Sequence, residues 1–227
     1  MRTVIVIPAF NEEETIERVV AAIPPAAADQ IIVVDNGSTD RTPVLAQAAG
    51  ADVVHEMQRG YGRACFAGFN AAADADIVVF MDGDGADNPA QIPELVRPIE
   101  QDRADLVVGS RERGETDPGA LLPHARFGNW LAARLMRLLY GLRVTDLGPF
   151  RAIRRDVLMS LNMQEMSYGW PTEMMVKAAK RGYRVLEIPV DYRRRAGGRS
   201  KISGTVRGTV LAAYFIIGTT IKHAFTQ

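Results

Sequence analysis

Ile77-Val78-Val79-Phe80-Met81-Asp82-Gly83-Asp84-Gly85 runs from five apolar residues straight into two carboxylates one residue apart, flanked by glycines. An apolar run of strand length that stops at turn residues predicts a buried parallel strand ending at a site. Asp-x-Asp at the C-terminal end of a strand presents two carboxylates to a hard divalent cation, and glycine lets a phosphorylated ligand approach the backbone. The same residues also make an ordinary acidic turn. The surrounding chain has to decide between the two.

Upstream, Thr3 to Ile7 is an apolar run stopped by Pro8, followed by Ala9-Phe10-Asn11-Glu12 and a helical pattern through Ile16, Val19, Val20 and Ile23. Gln30 to Val34 predicts a second strand, and Asp35-Asn36-Gly37-Ser38-Thr39-Asp40 supplies turn and cap residues for a helix ending near Ala49. A third strand over 52–55, a small-residue helix over 60–73, a helix over 90–100 and a strand over 105–109 continue the alternation. Strands alternating with helices predict an α/β domain with a mostly parallel sheet, whose ligands gather beyond the strand C-termini. Pro8 to Glu12, Asp35 to Ser38, Asp82 to Asp84 and Ser110-Arg111 are then expected to face one crevice.

The 227 residues suffice for one large domain, and a 47% hydrophobic content suffices for its core. One cysteine, Cys65, excludes an internal disulfide or a Cys-rich zinc site. No basic-then-apolar leader precedes the first strand, so a cytoplasmic location is expected. The zero net charge hides an acidic body and a basic tail, since seven of the 27 basic residues and none of the 27 acidic ones lie from Arg193 onward.

Arg111 to Pro123 predicts a mobile loop beside the crevice. Phe127 to Tyr140 predicts a helix in which Leu131, Leu135, Leu138 and Leu139 interleave with Arg134 and Arg137, either an amphipathic core helix or a surface that meets lipid. Asp146 to Arg151 is a polar loop, 154–162 and 171–182 are helical, and Arg184 to Ile188 is a strand ended by Pro189. In the tail, Arg193 to Lys201 is basic and glycine-bearing, and Val210 to Ile217 is apolar nearly all round. The 14 residues between Arg207 and Lys222 would span about 21 Å as a helix, short of the roughly 30 Å of a bilayer core. Such a helix either packs on the sheet, lies on an anionic membrane, or docks to a membrane subunit.

Acid for a cation, glycine-containing loops and the arginines Arg111, Arg151 and Arg195 suit a diphosphate with Mg²⁺ or Mn²⁺, and hence a nucleotide-activated substrate. Gly60-Tyr61-Gly62-Arg63-Ala64-Cys65 departs from the dinucleotide fingerprint at its third glycine and follows the wrong strand, which sets aside NAD. His55, His124 and His223 lack ligand spacing for zinc, and one basic cluster without interleaved aromatics sets aside nucleic acid.

Four ordered motifs, Pro8 to Glu12, Val33 to Asp40, Asp82-Gly83-Asp84 and Gly109-Ser110-Arg111, resemble family-two glycosyltransferases of the GT-A fold. In the second half, Asp146 to Arg151, Thr172-Glu173-Met174, Glu187-Ile188-Pro189-Val190 and Arg195 to Lys201 resemble the polyprenyl- or dolichyl-phosphate sugar synthases. The resemblance implies a catalytic domain over 1–203 with a Rossmann-like, mostly parallel sheet flanked by helices, and a C-terminal apolar helix over 204–227. It also implies donor contacts at Pro8, Ala9, Phe10, Glu12, Val34, Asp35, Asn36, Gly60, Asp82 and Gly83. Asp84 becomes the principal metal ligand, with Asp82 beside it. Arg195 and Lys201 match a basic element that grips phosphates, Arg111 and Arg151 are further candidates for the acceptor phosphate, and Glu173 is either a base or a holder of Arg151 or Arg195. Two departures stand out: Asn36 replaces a frequent Asp, and Ala86 replaces a Gln, leaving Asp87 or water to complete the metal shell.

The activity so implied is inverting, metal-dependent transfer of a hexose from a nucleoside diphosphate sugar to a polyprenyl or dolichyl phosphate, by an enzyme peripheral on the cytoplasmic face of the membrane. A family-two transferase with a soluble phosphorylated or cell-envelope acceptor and a catalytically silent nucleotide-sugar-binding subunit are the alternatives.

Overall fold

The computed structural model describes residues 1–197 together with Ile216, residues 218–220 and Lys222. Lys201 and most of the expected C-terminal helix, including the boundary at 203/204, lie outside the described residues.

Among the described residues seven strands form one sheet: β1 (Thr3–Ala9), β2 (Gln30–Asp35), β3 (Asp52–His55), β4 (Ile77–Phe80), β5 (Leu106–Ser110), β6 (Arg151–Arg154) and β7 (Val185–Pro189). Their spatial order is β3-β2-β1-β4-β6-β5-β7, parallel throughout except for β6, which runs antiparallel between β4 and β5. Over residues 1–197 the α-helices are α1 (Ile16–Ala21), α2 (Thr42–Ala48), α3 (Tyr61–Ala71), α4 (Ile92–Glu100), α5 (Pro123–Tyr140), α6 (Arg155–Leu161) and α7 (Trp170–Lys180).

Helices cover both faces of the sheet, which is why the central strands are apolar without interruption. Along β1, Val4 and Val6 point into a core shared with residues of α3, α5 and α7, while Ile5 and Ile7 point into a second core shared with α1 and α4. The period of two is present, but both of its faces are buried. A Cβ on Gly68 of α3 would overlap Val6, so this helix sits on the sheet at a distance only glycine permits. The turn of β1 into α1 and the Asp82 to Ala86 loop meet where the Thr15 hydroxyl donates to the Gly83 carbonyl at 2.8 Å.

Two regions differ from expectation. Arg151–Arg154, expected from sequence at the end of a polar loop and the start of a helix, form β6; its alternation is masked by Arg151 and Arg154 at its ends, and pairing with Phe80 to Ile77 supplies what the local pattern lacks. The 111–122 segment is tied down rather than loose, because the Tyr192 N–H donates to Glu115 at 2.8 Å and the Asp117 N–H to Tyr192 at 2.9 Å.

α5 buries Ala132, Ala133 and Met136 against the core. Three of its large apolar side chains point elsewhere: Phe127 is 63% exposed, Trp130 51% and Leu138 80%. No helix among the described residues is long and apolar enough to cross a membrane.

Candidate active site

The loops after β1, β2 and β4 meet at the carboxyl ends of their strands, held by a specific set of hydrogen bonds. Asn11, at a positive φ of 51°, receives the Thr39 N–H on its side chain at 2.8 Å, and its own N–H donates to Ser38 Oγ at 3.0 Å. The Glu12 N–H donates to Thr42 Oγ1 at 2.8 Å. Pro8, Ala9, Phe10 and Glu12 therefore sit beside Val34, Asp35 and Asn36, as the motifs predict. Burial would raise the Asp35 carboxyl, but hydrogen bonds from Ser38 and His55 prevail and hold it below the ordinary range.

Asn36 explains its own departure from the frequent Asp. Its Nδ2 donates to the carbonyls of Glu56 at 2.9 Å and Gln58 at 2.8 Å, while its Oδ1 accepts the Gly60 N–H at 2.9 Å. The amide thus pins the 56–60 loop at three points, and that loop sets the Arg59 guanidinium 3.3 Å above the Phe10 ring, a contact not foreseen from sequence. Asn36→Asp would turn a carboxylate toward two carbonyls with no donor between them. It is expected to cost about 1–3 kcal/mol and to weaken nucleotide binding, read by thermal unfolding and by calorimetric titration with UDP and GDP.

Beyond β4, three carboxylates crowd together. The Asp84 Oδ1 accepts the Ala86 N–H at 2.9 Å and its Oδ2 lies 2.7 Å from Arg195 Nε. The Asp87 Oδ2 accepts the Asp82 N–H at 3.1 Å, while its buried Oδ1 has no hydrogen-bond partner among the described residues. Burial and the neighbouring charge of Asp84 push the Asp82 carboxyl up to about 7, and burial with the charges of Asp82 and Asp84 raises Asp87 as well. The crowded acids raise one another, and one carboxylate oxygen is without a hydrogen-bond partner among the described residues. These residues fit a divalent cation. Among the described residues no three His, Cys, Asp or Glu side chains form a ready cage, which suits Mg²⁺ or Mn²⁺ held by one or two carboxylates and substrate phosphates.

Arg111 grips Asp146 as a fork, Nε to Oδ2 at 2.7 Å and Nη2 to Oδ1 at 2.8 Å, with its backbone N–H on Oδ2 at 2.9 Å. Asp146 is fully buried and is held below the ordinary carboxyl range, burial being outweighed by Arg111. Asn129 of α5 donates to the same carboxylate at 2.7 Å. The pair fixes where the chain enters the 111–122 segment, a role for Asp146 that the sequence motif contained without revealing.

Arg151 is not at the crevice surface. It is 1% exposed, and its guanidinium donates to the carbonyls of Leu147, Gly148 and Pro171. Burial lowers it to about 10. Its expected contact with an acceptor phosphate is replaced by support of the 146–150 loop from beneath. Glu173, also 1% exposed, accepts the N–H groups of Gln164 at 3.0 Å and Glu165 at 2.8 Å and lies 2.7 Å from Lys177 Nζ. Gly60 and Gly62 pack against the backbone of Glu165 and Met166, and a Cβ on either would overlap it. Gly60 thus shapes the wall behind Arg59.

The profile of the family described as Glycosyl transferase family 2 matches residues 4–161. The chain is a family 2 glycosyltransferase. An uncharacterised glycosyltransferase of Mycobacterium tuberculosis is 41% identical over 209 residues, covering 92% of this chain and 93% of that one. The undecaprenyl-phosphate mannosyltransferase of Micrococcus luteus is 31% identical over 92% of this chain and 90% of its own. Among solved structures, the glucosyl-3-phosphoglycerate synthase of Mycobacterium tuberculosis, in complex with Mn²⁺, UDP and glucosyl-3-phosphoglycerate, superposes with a TM-score of 0.78 at 27% identity, covering 100% of this chain and 81% of that one. The glycosyltransferase has the GT-A fold, and its Asp82-Gly83-Asp84 stretch lies within the matched residues.

Proposed function

We infer that this glycosyltransferase moves a hexose, with inversion, from a UDP- or GDP-linked sugar to a polyprenyl or dolichyl phosphate. The observation that carries the lipid acceptor is the outer face of α5. Phe127 and Trp130 stack there with centroids 5.8 Å apart, Arg134 lies 5.1 Å over the indole, and no acidic residue occurs on the helix. A groove of about 510 Å³ runs past Phe127, Trp130, Arg134 and Arg137 to Glu112 and Thr145. Those last two residues adjoin the Arg111–Asp146 pair in sequence. An apolar chain would lie along the aromatic residues and its phosphate would end at Arg111, with the arginines against anionic headgroups on the cytoplasmic face.

Donor contacts are assigned to the Pro8 to Glu12 loop, Val34, Asp35, Asn36, Gly60, Asp82 and Gly83. Asp84 and Asp82 would hold Mg²⁺ or Mn²⁺, which when bound neutralises charge on the departing diphosphate. A phosphate monoester has a second pKa of about 6, so the acceptor oxygen is already anionic at neutral pH and needs no strong base. The demand falls on positive charge instead. Arg111 and Arg195 offset the repulsion between anionic acceptor and anionic donor, and Lys201 matches the same basic element.

Transfer of labelled sugar from UDP- and GDP-sugars into a polyprenyl-phosphate-containing membrane extract tests the reading. Label extractable into organic solvent and lost with EDTA is the expected result. Label confined to the aqueous phase would favour a soluble phosphorylated acceptor, the second reading, which the likeness to a synthase bound to glucosyl-3-phosphoglycerate supports. The double variant Phe127→Ser/Trp130→Ser is expected to bind anionic vesicles at least about ten-fold more weakly while hydrolysing donor at the wild-type rate. Vesicle sedimentation and nucleotide release read the two quantities separately.

A further inference from the structure

The segment before the end of the described chain lies directly across the metal-candidate loop. The Arg193 N–H donates to the Ala86 carbonyl at 2.8 Å, the Ala196 N–H donates to the Asp84 carbonyl at 3.3 Å, and Tyr192 bridges to Asp87. These contacts are made by backbone, and they leave the Arg195 side chain to point at the carboxylate. Its Nε lies 2.7 Å from Asp84 Oδ2, with the Asp84 side chain 3% exposed and that of Arg195 27% exposed. The other Asp84 oxygen holds the Ala86 N–H at 2.9 Å. Both oxygens of the most enclosed carboxylate of the Asp-x-Asp pair are therefore engaged, one of them by a cation.

A hard divalent ion binds carboxylate oxygen at about 2.0–2.2 Å, and two positive groups brought to one buried oxygen repel strongly. Glu12 and Asp82 also attract the Arg195 guanidinium, which thus lies against the carboxylates that would hold the ion. We propose that Arg195 and the divalent cation are alternative occupants of Asp84, so that arrival of the metal releases Arg195 to meet phosphate. Arg195 is then a stand-in that keeps the carboxylates together in the metal-free enzyme, and metal binding and presentation of the arginine are one exchange. The proposal rests on Asp84 being the metal ligand of the transferase reading.

Its test is binding of Mn²⁺ alone to the full chain without nucleotide, followed by the electron paramagnetic resonance signal of the free ion. Arg195→Met is expected to bind Mn²⁺ about ten-fold more tightly than the wild type, a coupling of ordinary size between two ligands of one protein, although its sugar transfer becomes slower. Arg193→Met, which removes an exposed charge two residues away on the same segment, is expected to leave the affinity unchanged. Arg195→Lys keeps the charge but not the planar fork, and its affinity should fall between wild type and Arg195→Met. That variant decides the matter if circular dichroism shows Arg195→Met to be unfolded.

An affinity unchanged or weakened in the folded Arg195 variants overturns the exchange, and so does equal tightening in Arg193→Met, which would be a general field effect. Failure of the transferase reading looks different: the wild type would then consume no sugar nucleotide, whatever its Mn²⁺ affinity.

Discussion

Asp84→Ala is expected to lower metal-dependent sugar transfer by at least about a thousand-fold while leaving the protein folded. The carboxylate is 2% exposed and sits at the end of β4, where its Oδ1 receives the Ala86 N–H and its Oδ2 faces Arg195. Truncation removes the best-placed anionic ligand of the cluster and leaves Asp82, half-buried and already pushed up to about 7, and Asp87 as the nearest carboxylates. Among the described residues neither is positioned by an arginine contact like that of Asp84 with Arg195. The structural loss is one acceptor for Ala86, about 1–3 kcal/mol, and the carboxylate partner of the partly exposed Arg195. The fold survives because removing one crowded carboxylate relieves its repulsion with Asp82 and because the central strand behind it is secured by Val78, Val79 and Phe80 in the two cores. Steady-state transfer with saturating Mn²⁺, together with a melting curve, checks both halves. Turnover near the wild-type rate would remove Asp84 from the metal site, and a large loss of melting temperature would make any loss of activity uninformative about metal.

The alternation of strands and helices was legible because the central strands are buried on both faces and carry uninterrupted apolar runs, so length and flanking turn residues suffice to place them. The crevice followed from that topology, since loops after successive parallel strands must emerge at one edge. β6 was illegible for the complementary reason: residues 151–154 become a strand by pairing with β4 and β5, a contact remote in sequence. The same remoteness hid Arg59 over Phe10 and Arg195 on Asp84, each of which joins segments separated by dozens of residues or more. Arg151 failed differently. An arginine following a Gly-Pro-Phe turn carries no local sign of whether it points to solvent or to backbone carbonyls beneath the loop, and only the packing of α7 against that loop decides it. Asn36 lies between these cases: its departure from the frequent Asp was visible, whereas its reason, three hydrogen bonds to a loop twenty to twenty-four residues on, was not.

Glu173→Ala is expected to destabilise the fold by about 3–5 kcal/mol, the usual consequence of removing one partner of a buried ion pair, and Glu173→Gln by less. The carboxylate is 1% exposed, with Lys177 one helical turn on at 2.7 Å and the Gln164 and Glu165 N–H groups on its oxygens. An alanine leaves an ammonium and two amides without that acceptor. A glutamine offers one oxygen, but its NH₂ faces a cation and donors. The effect reaches the crevice through packing: the 164–166 segment that Glu173 fixes is the surface on which Gly60 and Gly62 rest, and the loop ahead of Gly60 carries Arg59 to Phe10. A positioning role therefore predicts a lowered melting temperature in both variants. At a temperature where each remains folded, the Michaelis constant for donor should rise with little change in kcat. A catalytic base predicts the opposite split, an unchanged melting temperature with kcat lost and the acidic limb of the pH profile gone. Because an acceptor phosphate is already ionised at neutral pH, the chemistry does not call for that base. Measuring both constants for Glu173→Gln between pH 5 and 8, beside its melting curve, separates the two roles in a single variant.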